Sequence, residues 1–290
     1  MNEPSPRASR LALTAGVLAI MVVGGGGFLL GQRSSQERQT PETPVAVAPA
    51  PSPSPTIGAT RVLGRADILA LAAEAADATA RGDAMPASVR DSVGKPFTLS
   101  LPFGCDGPAD ADSKTAMRWR YDDAAGALRL DVFPITWSPS EWFAGDAASN
   151  AETIEGFWIA RPWTRSEACP ASRTPAVPMG AEPVTLAGQT VAIGQVFGAG
   201  GARQGRRDGK AYSSVLRMDR ADFDGRQGLA LRLSGRLGSG SNDLPVACRQ
   251  PGGAEQRPVC MVFVVLDELA IADPVTDKAL ATWPAGSLTD

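Results

Sequence analysis

The feature that most constrains this chain is a run of twenty residues without a charged side chain, from Leu11 to Leu30. A helix of that length rises about 30 Å, which matches the hydrocarbon core of a bilayer. A cleaved signal peptide has a shorter apolar region, closely followed by a small-residue cleavage site, whereas the A-x-A match at Ala46–Ala48 lies sixteen residues beyond this run. We therefore expect a tail over residues 1–10 and an uncleaved transmembrane signal-anchor helix over residues 11–30.

Two glycines near the end of this run have the spacing that lets transmembrane helices approach closely. Gly27 and Gly31 form a G-x-x-x-G pair, a motif of helix–helix contacts in membranes. In so glycine-rich a stretch the same spacing also arises by chance. The sequence leaves two alternatives open: a homodimer with Gly27 and Gly31 at the helix contact, or a single helix in the lipid bilayer of an inner membrane.

After the apolar run the chain becomes rich in proline. Six prolines lie between residues 40 and 55, and their alternation with small residues favours extended polyproline II structure. At about 3.1 Å per residue, a stretch of about 20 residues reaches about 60 Å. We predict that residues 31–58 form a disordered, Pro-rich tether that holds the rest of the chain away from the membrane.

The positions of the cysteines indicate the orientation of this anchor. Two arginines precede the run and two follow it closely, so the charge rule for membrane topology does not choose a direction. All four cysteines lie beyond the run, and disulfides persist in oxidising compartments. We expect a cytoplasmic N-terminus and a C-terminal domain in a bacterial periplasm.

Four cysteines allow three pairings, and the sequence alone does not choose among them. The loop between Cys248 and Cys260 resembles a hairpin tip that a disulfide could close, which would leave Cys105 to pair with Cys169. Zinc sites use paired C-x₂₋₄-C spacings, and the chain has none. The sequence therefore predicts two structural disulfides, no metal site and no cofactor.

A helical pattern opens the part of the chain beyond the tether. Residues 65–80 are dominated by alanine and precede Gly82, as expected for a helix that ends at a glycine cap. The side chains that share its apolar face are Leu69, Ala72, Ala73 and Ala76. Because this face is thin, we expect the leading helix, within residues 59–95, to pack loosely on the following domain or to lead into it from the tether.

Beyond residue 95 the apolar pattern changes to a period of two, which is typical of β-strands. Residues 117–121 and 128–132 alternate in this way on either side of a turn and predict a hairpin. The run Val259–Leu266 is apolar on both faces, so we expect a central strand there. Further strands are predicted at residues 97–103, 154–160, 190–197, 213–219 and 229–234. The expected fold is mainly β, an antiparallel sandwich or open barrel over residues 96–290, with one leading α-helix.

Composition and motifs exclude several kinds of chemistry. The chain has no histidine, which removes Ser-His-Asp triads and histidine-ligated metals. A net charge of −3 does not suit a nucleic-acid binder. Ser92 and Lys95 have the S-x-x-K spacing of an acylating serine, but Pro96 follows and opposes the helical turn that this motif needs. No catalytic residue is predicted, and we expect the chain not to be an enzyme.

The tryptophans are the best candidates for a binding surface. Five of the six lie within 45 residues, and aromatic rings of this kind bind sugar rings or apolar peptides. The alternative is that they fill the core of the β-domain. The candidate surface consists of Trp137, Trp142, Trp158 and Trp163, with Glu141 and Glu155 as polar contacts.

These features together predict a non-catalytic adapter or envelope component that binds another protein. Two alternatives from other classes stay open. Glu141 and Glu155 could serve a peptidoglycan or polysaccharide hydrolase, because paired carboxylates need neither histidine nor metal. The domain could instead be a module that binds a glycan or a lipid.

Overall fold

The computed structural model describes residues 61–143, 150–170, 190–198, 200 and 205–284. The predicted tail, the apolar run with Gly27 and Gly31, and the Pro-rich tether lie outside the described residues. Within the described ranges, no helix combines the length and the apolar character that a membrane crossing requires.

One main helix and eleven strands form this part of the chain. Helix α1 covers Arg65–Arg81 and a short helix, α2, covers Ala87–Arg90. The strands are β1 Pro96–Phe103, β2 Met117–Asp122, β3 Ala127–Val132, β4 Ile135–Trp137, β5 Ala151–Trp158, β6 Val191–Gly198, β7 Tyr212–Arg217, β8 Leu229–Leu237, β9 Val246–Arg249, β10 Val259–Ala272 and β11 Ala279–Pro284. The strands form two sheets, which confirms a mainly β fold with one main helix.

The larger sheet has eight strands and is built around β10. Strands β8 and β9 together cover one edge of β10, through residues 264–272 and 259–262. Strands β6 and β11 cover its other edge, through residues 260–263 and 268–272. Consecutive residues at the start of β10 are buried, so both of its faces are covered as well. This confirms the central strand that the sequence predicts.

One strand pairing departs from the expected antiparallel arrangement. β6 and β10 run parallel, with Val191 opposite Cys260, whereas the other pairings between described strands are antiparallel. Beyond this short pairing, the side chain of Gln195 on β6 accepts a hydrogen bond from the backbone N–H of Leu266 at 3.1 Å. A buried amide thus satisfies a β10 donor that has no strand partner on that side.

The smaller sheet has the order β2-β3-β7 and contains the predicted hairpin. Its apolar face includes Trp119, Leu128 and Leu130, which belong to the same core cluster as Leu99 and Leu231 of the larger sheet. Alternation along β2 and β3 therefore has the physical cause that the sequence indicated: one face packs on a core that both sheets share.

Helix α1 begins and ends with local interactions that the sequence supplies. The Asp67 carboxylate accepts the backbone N–H of Gly64 at 3.0 Å, which satisfies one donor at the start of the helix. Gly82 follows the last turn with a φ of 70°, and its N–H bonds to carbonyls of that turn. A glycine adopts this left-handed conformation without the steric cost of a Cβ atom, so the predicted end of the helix is confirmed.

The packing of α1 corrects the expectation of a loosely attached helix. Ile68 and Ala75 are both 0% exposed, and the helix contacts β1, β9 and β10. The buried face is rotated from the predicted stripe, because Leu69 and Ala73 are only half-buried. Alanine brings the helix backbone close to the sheet, so a thin apolar face still packs tightly.

Both predicted disulfides are present. Cys105–Cys169 joins the loop after β1 to the segment after β5, across 64 residues of sequence. Cys248–Cys260 joins directly opposite positions of β9 and β10. This is the pairing that the hairpin-like loop favoured, and it uses all four cysteines.

Candidate functional site

An apolar groove of about 350 Å³ runs beside helix α1. Its walls come from the helix, from the segment after β5 and from the start of β6 and β10. The lining residues are Leu69, Ala72, Ala73, Ala76, Pro162, Trp163, Thr190, Val191, Arg257, Pro258 and Cys260. A volume at the lower end of the range for small-ligand sites suits a few side chains of a partner.

The helix wall of the groove is the apolar stripe that the sequence predicts. Ala72 and Ala76 are buried against the core and also reach the groove, at 1% and 3% exposure. Leu69 and Ala73, one step around the helix, are half-buried and complete the wall. The stripe is therefore shared between the core and the groove, and its small side chains leave the open space.

Trp163 is the exposed aromatic side chain of this site. Its exposure of 67% is the highest among the exposed large hydrophobic residues of the described chain. Single exposed apolar residues are common on protein surfaces, but Trp163 and Pro162 extend an apolar groove. Tryptophan at such a position is typical of the residues that contribute most of the free energy of protein–protein binding.

A buried arginine holds the loop that carries Trp163. The Arg65 guanidinium, 3% exposed, donates hydrogen bonds to the carbonyl oxygens of Ala160, Arg161 and Thr164 at 2.6, 3.1 and 3.0 Å. Burial lowers the pKa of Arg65 below its ordinary value, while the charge of Glu167 raises it. These bonds join the first turn of α1 to both sides of Trp163, so the tryptophan projects from a fixed backbone.

The end of the same loop is fixed to β1. The Glu167 carboxylate accepts the backbone N–H of Ser100 at 3.1 Å, and the next residue but one, Cys169, forms the disulfide with Cys105. Ordering a loop before binding lowers the entropy that association costs. The Trp163 loop is therefore a pre-organised element and suits a binding role.

The third wall of the groove contributes one cation. Arg257 is exposed, and within the described part of the chain no hydrogen bond or ion pair engages it. The backbone next to it is fixed, because Cys260 forms a disulfide and its N–H donates to the carbonyl of Thr190 at 2.9 Å. Arg257 is thus available to a carboxylate of a ligand.

The other tryptophans of the predicted surface form a second core. Trp137 and Trp142 are 6% and 7% exposed, and Trp137 makes edge-to-face contacts with both Trp142 and the half-buried Trp158. Arg249 lies 4.6 Å from the ring centre of Trp142 and pairs with Glu141 at 3.4 Å. The structure brings Trp137, Trp142, Trp158 and Glu141 together, but as a packed cluster with Arg249 over it.

Glu155 and Trp163 lie outside this cluster. Glu155 is 5% exposed, and its carboxylate accepts the backbone N–H groups of Arg207 and Asp208 at 2.9 and 3.0 Å. The Arg207 side chain covers the ring of Tyr212, whose pKa burial raises to about 12. Because two backbone donors occupy the Glu155 oxygens, this carboxylate fixes a loop.

The S-x-x-K spacing of Ser92 and Lys95 has a local structural role. Ser92 is buried, and its hydroxyl donates to the carbonyl of Val89 at 2.6 Å. The Lys95 N–H donates to the Ser92 carbonyl in a turn before β1, so the S-x-x-K spacing does not form a helix.

Among the described residues no group of three or more acidic or cysteine side chains is arranged to hold a metal ion.

A wider depression of about 620 Å³ lies beside β1 and β8. Its charged side chains already have partners. Glu167 bonds to Ser100, and Arg232 pairs with Asp277. The apolar groove, with Trp163 exposed and Arg257 unengaged by described residues, is the better candidate for a binding site.

The sequence indicates Trp163 and the helix stripe but not the side chains that join them into a site. Arg65 gave no signal, because an arginine at the start of a helix is usually exposed. Pro258 and Arg257 belong to a loop whose sequence indicates only a disulfide-closed hairpin.

Comparison of this chain with protein-family models, with curated protein sequences and with solved structures gives no match.

Proposed function

We propose that this chain is a single-pass inner-membrane protein whose disulfide-stabilised β-domain acts in the periplasm as a non-catalytic adapter, and that it binds another envelope protein in the groove beside Trp163. The observation that carries the proposal is the environment of Trp163. Its side chain is 67% exposed, yet the backbone around it is held by three hydrogen bonds from the buried Arg65.

Two separate features support a periplasmic location of the domain. A β-domain with two disulfides is consistent with an extracytoplasmic location, since disulfides persist in oxidising compartments. The uncharged run over residues 11–30 has the length of a membrane anchor. The proposed orientation joins these features in one chain, with the N-terminus in the cytoplasm.

The groove lining suggests the chemistry of the partner. Small apolar side chains of α1 and the ring of Trp163 suit an apolar side chain of an extended protein segment. Arg257 would pair with an acidic residue of the same segment. The described lining residues include no carboxylate, so the groove offers contacts for binding rather than acid–base groups.

Site-directed photo-crosslinking in the native host tests this proposal. A photoreactive amino acid in place of Leu69, on the groove wall, is expected to give an adduct with one envelope protein. The same probe in place of Val275, which is 59% exposed and outside the groove, is the position control. Trp163→Ala is expected to lower the yield at Leu69 at least tenfold, because a tryptophan that anchors a binding site contributes about 2 kcal/mol or more.

Two further variants separate the groove from general effects on the fold. Arg257→Glu is expected to lower the yield as well, because it places like charges together. Val275→Ala removes a comparably exposed apolar side chain and is expected to leave the yield unchanged. An undiminished adduct in Trp163→Ala, or an equal adduct from the Val275 probe, would show that the groove is not the binding site.

A further inference from the structure

The hydrogen-bond pattern of the smaller sheet defines which backbone groups of β7 are unused. The backbone N–H of Met218, the residue after β7, donates to the carbonyl of Gly126, the residue before β3. This pair continues the register of the two strands and is a hydrogen-bonded pair. Antiparallel pairs alternate between bonded and non-bonded positions, so Tyr212, Ser214 and Leu216 bond to β3. The N–H and C=O groups of the intervening residues, Ser213, Val215 and Arg217, therefore point away from β3.

These three residues form an open strand edge. Ser213, Val215 and Arg217 are exposed, Val215 by 57%, and within the described residues no backbone hydrogen bond reaches their outward groups. Proteins usually protect such edges with proline, charges or covering segments, because an open edge pairs with other strands. An exposed valine in the middle of an edge strand is the opposite arrangement.

Two other edge strands in the molecule, β1 and β2, show how such an edge is protected. On β1, the N–H of Thr98 donates to Leu63 and the N–H of Ser100 donates to the Glu167 side chain. Farther along β1, Pro102 has no N–H to offer. On β2, the Trp119 carbonyl accepts from Ala109. On β7, Arg217 places a charge at one end of the edge and Trp283 packs against the ring of Tyr212, but no described group bonds to the outward N–H and C=O groups of the edge.

We propose that two copies of this chain pair through β7, antiparallel and around a two-fold axis at Val215. In this register Val215 faces Val215 of the second copy, and Ser213 faces Arg217. The three outward residues of each copy then exchange all of their N–H and C=O groups, so three donors from each of two copies give six hydrogen bonds. The self-complementary contact closes as a dimer.

The side chains on this face fit the same register. Ser213 donates to Asp131 Oδ1 at 2.7 Å, so Asp131 lies one strand inward from Ser213. Arg217 of the second copy, opposite Ser213, therefore points toward Asp131. The two Arg217 side chains remain about 13 Å apart along the strands, because four residues separate Ser213 from Arg217. Asp131 also pairs with Arg118 of its own copy at 3.5 Å, so Arg217 of the second copy approaches a carboxylate that is already shared. The exposed valines cover each other.

Cysteine crosslinking of the full-length chain in detergent micelles or vesicles tests both the contact and its register. A Val215→Cys chain is expected to form a disulfide-linked dimer under mild oxidation, since bonded antiparallel pairs have Cα atoms about 5.5 Å apart. The native cysteines are paired and do not interfere. Ser213→Cys alone and Arg217→Cys alone are expected to give at least tenfold less dimer, whereas a mixture of the two is expected to crosslink.

A second variant tests the interaction without new thiols. Val215→Lys places two like charges on the axis and is expected to weaken dimerisation at least tenfold in an ultracentrifugation or mass-photometry measurement. Since the side chain is exposed, the melting temperature is expected to equal that of the parent chain at a concentration where both are monomeric, which separates lost pairing from lost folding.

Three results would overturn the proposal. Monomeric Val215→Cys under oxidation would exclude the contact, and equal crosslinking of Ser213→Cys alone would exclude the register. If Val215→Cys crosslinks only after residues 285–290 are deleted, the chain's own C-terminus covers β7 and the full-length chain does not pair through this edge.

Discussion

Trp137 and Trp163 belong to one tryptophan-rich stretch of sequence but occupy opposite environments. Trp137 is 6% exposed and packs edge-to-face against two other tryptophans, whereas Trp163 is 67% exposed at the rim of a groove. The residues that surround each ring explain the difference. Strands β4 and β5 place Trp137 on a sheet face, and Arg65 holds Trp163 on a loop.

The comparison shows that a high density of aromatic residues in sequence does not identify a surface. Trp142 is covered by Arg249, which pairs with Glu141, so one of the two polar members of the predicted surface helps to close the cluster. At Trp163 the polar residue is Arg65, which lies beneath the loop and does not cover the ring. Arg65 fixes the backbone from within and leaves the ring free.

The largest expected effect is a loss of stability when a ring of the Trp137 cluster is removed, and it distinguishes this cluster from the Trp163 loop. Trp137→Ala removes a buried ring from the centre of the aromatic cluster, and we expect the free energy of unfolding to fall by about 3–5 kcal/mol. Urea unfolding followed by circular dichroism measures this change. A fall of less than about 1 kcal/mol would contradict the assignment of this cluster as a second core.

Much of the fold follows from local patterns of this sequence. Alternation in residues 117–121 and 128–132 predicts the hairpin because one face is buried, and the unbroken apolar run at Val259–Leu266 predicts the central strand. Gly82 marks the end of α1 because the last turn needs a left-handed residue. In each case the physical cause lies within a few residues of the signal.

Other features depend on partners that are distant in the sequence. β9 is short, and its pairing with β10 depends on the path of the chain after β8. The parallel contact between β6 and β10 likewise depends on three intervening strands. Exposure of Trp163 depends on Arg65, 98 residues earlier. No local pattern records these contacts, and so the groove could not be predicted.

A smaller loss of stability is expected when the hydrogen bonds that hold the Trp163 loop are removed. Arg65→Met keeps the aliphatic stem but leaves the carbonyls of Ala160, Arg161 and Thr164 without their donor. We expect a loss of about 2–3 kcal/mol in unfolding free energy, and faster local motion of Trp163 in time-resolved fluorescence anisotropy.

Another arginine near the start of the same helix provides the matched control. Arg61 pairs with Asp67 at 2.7 Å but is 79% exposed, so Arg61→Met is expected to cost less than about 0.5 kcal/mol. Equal costs in the two variants would contradict the role of Arg65 in holding the loop. A destabilised chain with unchanged Trp163 anisotropy would show that Arg65 supports the fold without positioning the ring.

The smallest effect on stability is expected at Trp163 itself. Trp163→Phe replaces an indole ring that is 67% exposed with a smaller phenyl ring, so the free energy of unfolding is expected to change by less than about 0.5 kcal/mol. The same substitution is expected to remove the tryptophan emission that iodide quenches most strongly, because Trp119, Trp137 and Trp142 are buried. A large loss of stability would mean that Trp163 packs within the protein and is not available to a partner. Unchanged stability together with lost quenching would separate the two regions within one variant: the clustered rings stabilise the domain, and Trp163 remains accessible for binding.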